Sequence, residues 1–291
     1  MAAGRAIRHS ATLSRVPFPR HTLNLMSAAP VAMRPPGSRS LLNSWQLLRA
    51  LTTRDLRLRY QESVFGWAWS MLNPLSYGLV LYFAFGVILN AGFKDYPLFL
   101  MAGVFPWFWF QGAVQQSTTV FVGNAGLLKK VRFPRLILPL SIVFGNTLQF
   151  LLTVPVLVVF IVASHKGPHW SWLVTLPMLF TIQVVLTVGV CALLSSLTVF
   201  FRDLQHITEV ILNLLFYATP ILYDIERIPE RYRWVATINP YAALAEGWRG
   251  AIMSGHWPGE QIIPCLLWAA GFLVLGLFVF RRLEDSFADA V

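Results

Sequence analysis

A helix that crosses a bilayer needs about 20 predominantly apolar residues, because the hydrocarbon core is about 30 Å thick and each helical residue rises about 1.5 Å. This sequence meets that demand repeatedly. The stretches at about 67–89, 97–122, 136–163, 172–200, 207–222 and 262–280 carry one charged residue between them, Glu209. Only 12% of the 291 residues are charged and 56% are hydrophobic, against about 25% charged in a soluble domain. So few charges cannot cover a globule in water, whereas lipid requires none. The expected fold is an all-α integral membrane protein of about six transmembrane helices.

The polar segments between the runs give the expected orientation. Ten of the 23 Lys and Arg residues precede residue 60, and residues 1–40 contain six arginines and no acid. With proline at 17, 19, 30, 35 and 36, residues 1–40 are expected to be a flexible basic tail, with a transit peptide or sequence upstream of a later start as the alternatives. The break at 123–135 holds Lys129, Lys130, Arg132 and Arg135 without one acid, and Arg281 and Arg282 close the last run. Under the positive-inside bias these flanks lie in the cytoplasm. That topology puts 17 basic residues inside and six outside, with both termini inside and residues 286–291 as a cytoplasmic tail. The net charge of +10 therefore reads as topology. The cations share no face interleaved with exposed aromatics, so nucleic acid is not an expected partner.

Two polar segments have helical character of their own. From 41 to 60, Leu41, Trp45, Leu48 and Leu51 recur at spacings of three and four, with Arg49, Arg54, Arg57 and Arg59 on the polar side. The pattern predicts an amphipathic interface helix on membrane lipid, or a helix packed on a neighbouring domain. At 223–261, Asn239-Pro240 provides a cap and a first-turn proline, and Leu244, Ala245, Trp248 and Ile252 follow at helical spacing. Glu246 and Arg249 then stand three residues apart on one face. A re-entrant helical hairpin entering from the outer side fits this pattern, as does a hairpin lying flat on the surface.

The chemistry the chain lacks is equally informative. The sequence has no Gly-x-x-x-x-Gly-Lys-Ser/Thr loop, no spacing of its six His and two Cys that suits a metal, and no convergent set of acids and bases. A transporter coupled to an ion gradient keeps ionisable groups in its spans, so any work is expected to arrive from a partner. The 123–135 break is a candidate place for that partner: Leu127-Leu128-Lys129-Lys130 can form a short exposed helix between Gly126 and Phe133-Pro134. An ordinary inner loop has the same composition. Aromatics make up 14% of the chain, including Trp107 and Trp109 in the run from Phe105 to Phe110; such rings either stack on sugars or pack helices and belts.

Five stretches, in order, resemble the permease subunit of class-two ABC exporters, in the branch that exports O-antigen, capsular and teichoic-type polymers. They are Phe65-Gly66-Trp67-Ala68-Trp69 with Asn73-Pro74-Leu75; Gly103-Val104-Phe105-Pro106-Trp107; Leu127 through Arg135; Phe200-Phe201-Arg202-Asp203; and Thr219-Pro220-Ile221-Leu222-Tyr223 followed by Asn239-Pro240. The resemblance covers residues 41–285, and the basic tail has no counterpart in it. It implies a homodimer in the bacterial inner membrane, with a channel at the junction and two separate ATPase subunits that hold ATP and Mg. It implies that this chain needs no cofactor and has no catalytic site. Leu127, Leu128, Lys129, Lys130, Arg132 and Phe133 become the ATPase-coupling helix, with Arg202 and Asp203 as a second contact. Phe105, Trp107, Trp109 and Tyr223 become candidates for the substrate path of a lipid-linked glycan. Asn239, Pro240, Tyr241, Glu246 and Arg249 fall in the outer gate. A drug or small lipid is the alternative cargo.

Overall fold

The computed structural model describes residues 40–60, 66–89, 95–130, 133–256 and 259–290. Most of the basic tail, the short turn at 90–94, Gln61 and Glu62, Arg132 and Val291 lie outside the described residues. Among those described, the chain is helical without strands, the arrangement that satisfies every backbone donor and acceptor where no water is at hand.

Helix α1 (Ser40–Tyr60) precedes a 3-10 turn and α2 (Trp69–Leu81), which continues as π-helix to Ile88. Next come α3 (Tyr96–Ser117), the short α4 (Val120–Gly123) and α5 (Ala125–Lys130), and two 27-residue helices, α6 (Ile137–Ala163) and α7 (Trp172–Thr198). The rest is α8 (Leu204–Ala218), α9 (Arg233–Ile238), α10 (Ala242–Ser254), α11 (Gly259–Leu283) and α12 (Phe287–Ala290).

Among the described residues, five helices are long and apolar enough to cross a membrane: Trp69–Ile88, Tyr96–Ser117, Ile137–Ala163, Trp172–Thr198 and Ile262–Ser286. The run expected to cross at 207–222 is the exception. It forms the 15-residue α8, about 22 Å long, because Thr219 turns extended and Pro220 cannot continue a helix. The run expected at 97–122 also divides, with α3 ending at Ser117 and α4 resuming at Val120.

Helix α3 is the axis of the bundle. Buried residues make up 78% of its apolar window, against 17% for α2 and α11, so its side chains meet protein where those of α2 and α11 meet their surroundings. The tightest seam joins α7 to α11. There a Cβ on Gly276 would stand 2.1 Å from the Gly189 carbonyl oxygen, and one on Gly189 would stand 2.4 Å from the Leu273 nitrogen. Only hydrogen fits at either position, the small-residue approach that dispersion favours between membrane helices. In α1 the buried face is Leu51, Thr52 and Leu56, while Trp45 is exposed and meets Phe144 edge-on at 5.7 Å.

Candidate functional site

Three places on this frame bring remote residues together: a clamp at the Tyr96 end of α3, an elbow at its Ser117 end, and an exposed polar face on α8.

The clamp is built around 219–223, where the chain leaves α8. Burying this non-helical stretch leaves its polar groups in need of partners; two other elements donate to its carbonyls and a third to its Thr219 hydroxyl. Arg249 of α10 donates Nη2 to the carbonyls of Pro220 (2.6 Å) and Ile221 (3.0 Å). The Tyr96 hydroxyl donates to the Leu222 carbonyl at 2.9 Å, and Asn239 Nδ2 donates to Thr219 Oγ1 at 2.7 Å. Arg249 is 7% exposed, with its guanidinium carbon 3.5 Å from the centroid of the Phe99 ring. A cation at the C-terminal end of α8 also opposes the negative end of that helix. Close by, Gly103 leaves room: a Cβ there would lie 3.3 Å from Ile221 and 3.5 Å from the guanidinium.

The helix expected to begin at Pro240, with Asn239 as its cap, begins two residues later. Asn239 Oδ1 accepts from the Tyr241 backbone N–H at 2.9 Å, and α10 begins at Ala242. The helix that follows is mostly buried, including Leu244, Ala245, Trp248, Arg249 and Ile252, and packs on α3, α7 and α11. Glu246 is half-buried. Gly255 ends α10 at φ +63, where a Cβ would strike His169 at 2.4 Å.

Buried rings and one amide fill the space beneath the clamp. Phe105, Trp107 and Trp109 are 2%, 0% and 3% exposed, so these expected path residues sit inside the chain's own core. Trp107 meets Tyr241 edge-on at 5.0 Å and Phe216 at 5.8 Å. Trp109 lies between Phe150 at 4.5 Å and Phe180 at 5.1 Å, stacked on both. Tyr223 is half-buried, its hydroxyl donating to the Tyr217 carbonyl at 3.0 Å. Gln183, fully buried, donates to the Pro106 carbonyl at 2.8 Å and accepts from Trp248 Nε1 at 2.7 Å, joining α3, α7 and α10. Sequence reasoning missed Gln183, for a lone uncharged amide in an apolar run gives no local signal.

The elbow follows a different plan. Lys129 and Lys130 are exposed, while Leu127, Leu128 and Phe133 are half-buried against a cluster formed by Phe121, Phe280 and the fully buried Phe287. Phe287 also meets Phe200 at 6.2 Å, which brings the exposed Arg202-Asp203 turn to the same end of the bundle. Arg54 of α1 reaches the elbow by donating to Asn124 Oδ1 at 2.7 Å, and Asn124 in turn donates to the Val120 carbonyl at 2.8 Å. The last residues of the chain thus brace α5 through α12.

Residues 46–253 match the model of the ABC-2 type transporter family. This chain belongs to that family. An O-antigen export system permease protein of Klebsiella pneumoniae is 39% identical over 247 residues, covering 84% of this chain and 95% of the relative. One from Myxococcus xanthus is 31% identical over 254 residues, with the same 84% and 95% coverage. The polysialic acid transport protein of Escherichia coli is 24% identical over 246 residues, covering 82% of this chain and 94% of the relative. As an ABC-2 transporter domain with five helices fit to span, the protein is a multi-pass membrane protein.

In this ABC-2 domain the face of α8 turned away from the core is unusual. His206, Glu209, Asn213 and Tyr217 recur at spacings of three and four and are all exposed, beside exposed Ile207, Val210, Ile211 and Leu214. Thr208, Leu212 and Phe216 face inward. Alongside, α2 presents Asn73 and Ser76 to the outside, with Tyr77 edge-on to Phe216 at 6.0 Å. The α8 stripe follows the helical period and was there to be found in the sequence.

Proposed function

We propose that this chain is the channel-forming permease subunit of an ATP-driven ABC exporter that carries a lipid-linked polysaccharide out across the bacterial inner membrane. Two copies form the passage, two copies of a separate ATPase sit beneath them, and both termini are cytoplasmic. The observation that carries this reading is the His206–Glu209–Asn213–Tyr217 stripe on the exposed face of α8. An acidic side chain turned to hydrocarbon costs about 2–3 kcal/mol or more. That cost is avoided when the stripes of two copies face one another across water. The exposed Asn73 and Ser76 of α2 extend the same hydrated wall. The names of the relatives, O-antigen export and polysialic acid transport, support a glycan as cargo.

Work enters at the elbow. Lys129 and Lys130 stand exposed on a short helix whose apolar side is only half-covered, a surface that fits an acid-rimmed groove of the ATPase, with the Arg202-Asp203 turn as a second contact. ATP and Mg are held by that partner. A shift of α5 passes to α1 through the Arg54–Asn124 bond and to α11 through Phe280 and Phe287. At the other end, α9 and α10 form the re-entrant outer gate, kept shut by the Arg249 and Asn239 bonds to 219–221.

Cysteine labelling tests the passage. Cys191 and Cys265 are buried, so the native background is low. Asn213→Cys in membranes containing the ATPase reacts with a water-soluble maleimide, and Val158→Cys, exposed on α6 and facing lipid in this reading, does not. An inert Asn213→Cys overturns the reading.

A further inference from the structure

A cleft of about 380 Å³ runs between α2, α3 and α6 and is closed at one end by Arg59 of α1. We propose that this cleft is a binding site for the glycosyl phosphate junction of the lipid-linked substrate, with Arg59 on the phosphate and the aromatic wall on the first sugar. The inference rests on the export reading and deepens it by naming the part of the cargo that is held and where.

The cleft is polar at one end and aromatic at the other. At the polar end Arg59 donates Nη1 to Gln149 Oε1 at 3.0 Å and Nη2 to Gln116 Oε1. Gln116 and Asn146 bond reciprocally, Nε2 to Oδ1 at 3.2 Å and Nδ2 to Oε1 at 3.1 Å. The guanidinium is therefore oriented by uncharged amides, and among the described residues no carboxylate lies within ion-pair distance of it. A planar cation fixed in this way keeps its charge and donors for an incoming anion, and its fork matches two oxygens of a phosphate. Asn146 is 4% exposed, and a buried amide pair inside spanning helices is costly unless fully bonded or used.

Aromatic side chains line the rest of the cleft: Phe105 and Trp109 are buried behind it, and Trp69, 42% exposed, with the half-buried Phe108 offers the aromatic surface a sugar can reach. Trp109 is held rigid by its stacked neighbours and by donating Nε1 to Thr147 Oγ1 at 3.2 Å. Gly112 forms part of the cleft lining between the two ends; a Cβ there would meet Asn146 Oδ1 at 2.8 Å. Exposed Asn73 of α2 also lines the cleft, which joins it to the hydrated wall.

The test uses the permease assembled with its ATPase in nanodiscs, with farnesyl-diphosphoryl-N-acetylglucosamine as probe and quenching of tryptophan fluorescence as the readout. Farnesyl diphosphate and inorganic diphosphate are the comparison probes. The wild type binds the sugar-linked probe at least about tenfold more tightly than inorganic diphosphate, and Arg59→Gln loses about tenfold with ATPase copurification intact. Arg59→Lys, which keeps charge without the fork, falls between. Gln149→Leu, which removes one of the two amides that orient Arg59, weakens binding less than Arg59→Gln does. Equal affinity of wild type and Arg59→Gln overturns the proposal, as does absence of measurable binding. Equal affinity for inorganic diphosphate makes it a bare anion site and overturns it too. In cells, normal surface glycan with Arg59→Gln, while deletion of the chain abolishes it, removes the cleft and leaves export standing. Surface glycan that survives deletion removes the export reading itself.

Discussion

The two ends of α3 solve opposite problems. At the Tyr96 end, 219–223 leaves α8 with carbonyls exposed by an unwound backbone, and Arg249, Tyr96 and Asn239 arrive from three places in the sequence to bond this stretch. Arg249, a cation that would ordinarily seek water, is 7% exposed. At the Ser117 end, α5 keeps Lys129 and Lys130 in solvent and leaves Leu127 and Leu128 half-covered. The clamp spends its polar groups inside the subunit, and the elbow holds them out. A buried polar group left without its partner is expensive, whereas an exposed charge is nearly neutral for folding. The same kind of residue therefore serves stability at one end and recognition at the other.

Substitutions ordered by their expected cost to stability can break or sharpen that contrast. Trp107→Ala removes a fully buried indole between Tyr241 and Phe216 and costs about 3–5 kcal/mol, visible as a lower melting temperature in detergent. Arg249→Met leaves the Pro220 and Ile221 carbonyls without their donor and costs about 2–3 kcal/mol. An unchanged melting temperature would show that the clamp is ornamental. Asn124→Ala removes the bond from Arg54 and the one to the Val120 carbonyl at the elbow and costs about 1–2 kcal/mol; it also weakens the stimulation of ATP hydrolysis by substrate. Lys129→Glu combined with Lys130→Glu stays within about 0.5 kcal/mol of wild type and loses copurification with the ATPase. Should that double variant melt as early as Arg249→Met, the two ends would not differ in the way described.

Much of this protein was legible before its structure. The spans could be read because bilayer thickness turns a three-dimensional requirement into a local one, a run of apolar residues of a given length. Expected and observed bounds agree closely for 136–163 and 172–200, as Ile137–Ala163 and Trp172–Thr198. The run at 207–222 was harder, because apolar composition continues through Thr219-Pro220 while the helix does not. Motif order also pointed to the ABC-2 family, whose model matches 46–253.

Composition and charge alone determined that the chain crosses a membrane and which segments stay polar, since each follows from residues adjacent in sequence. Only the tertiary structure decided which way each side chain faces. It turned Trp107 into the core and the α8 stripe outward, and it brought Gln183 to Trp248 and Arg249 to Pro220. Facing is set by neighbouring helices dozens of residues away, and in a chain apolar on nearly every side no local pattern records which neighbour will come.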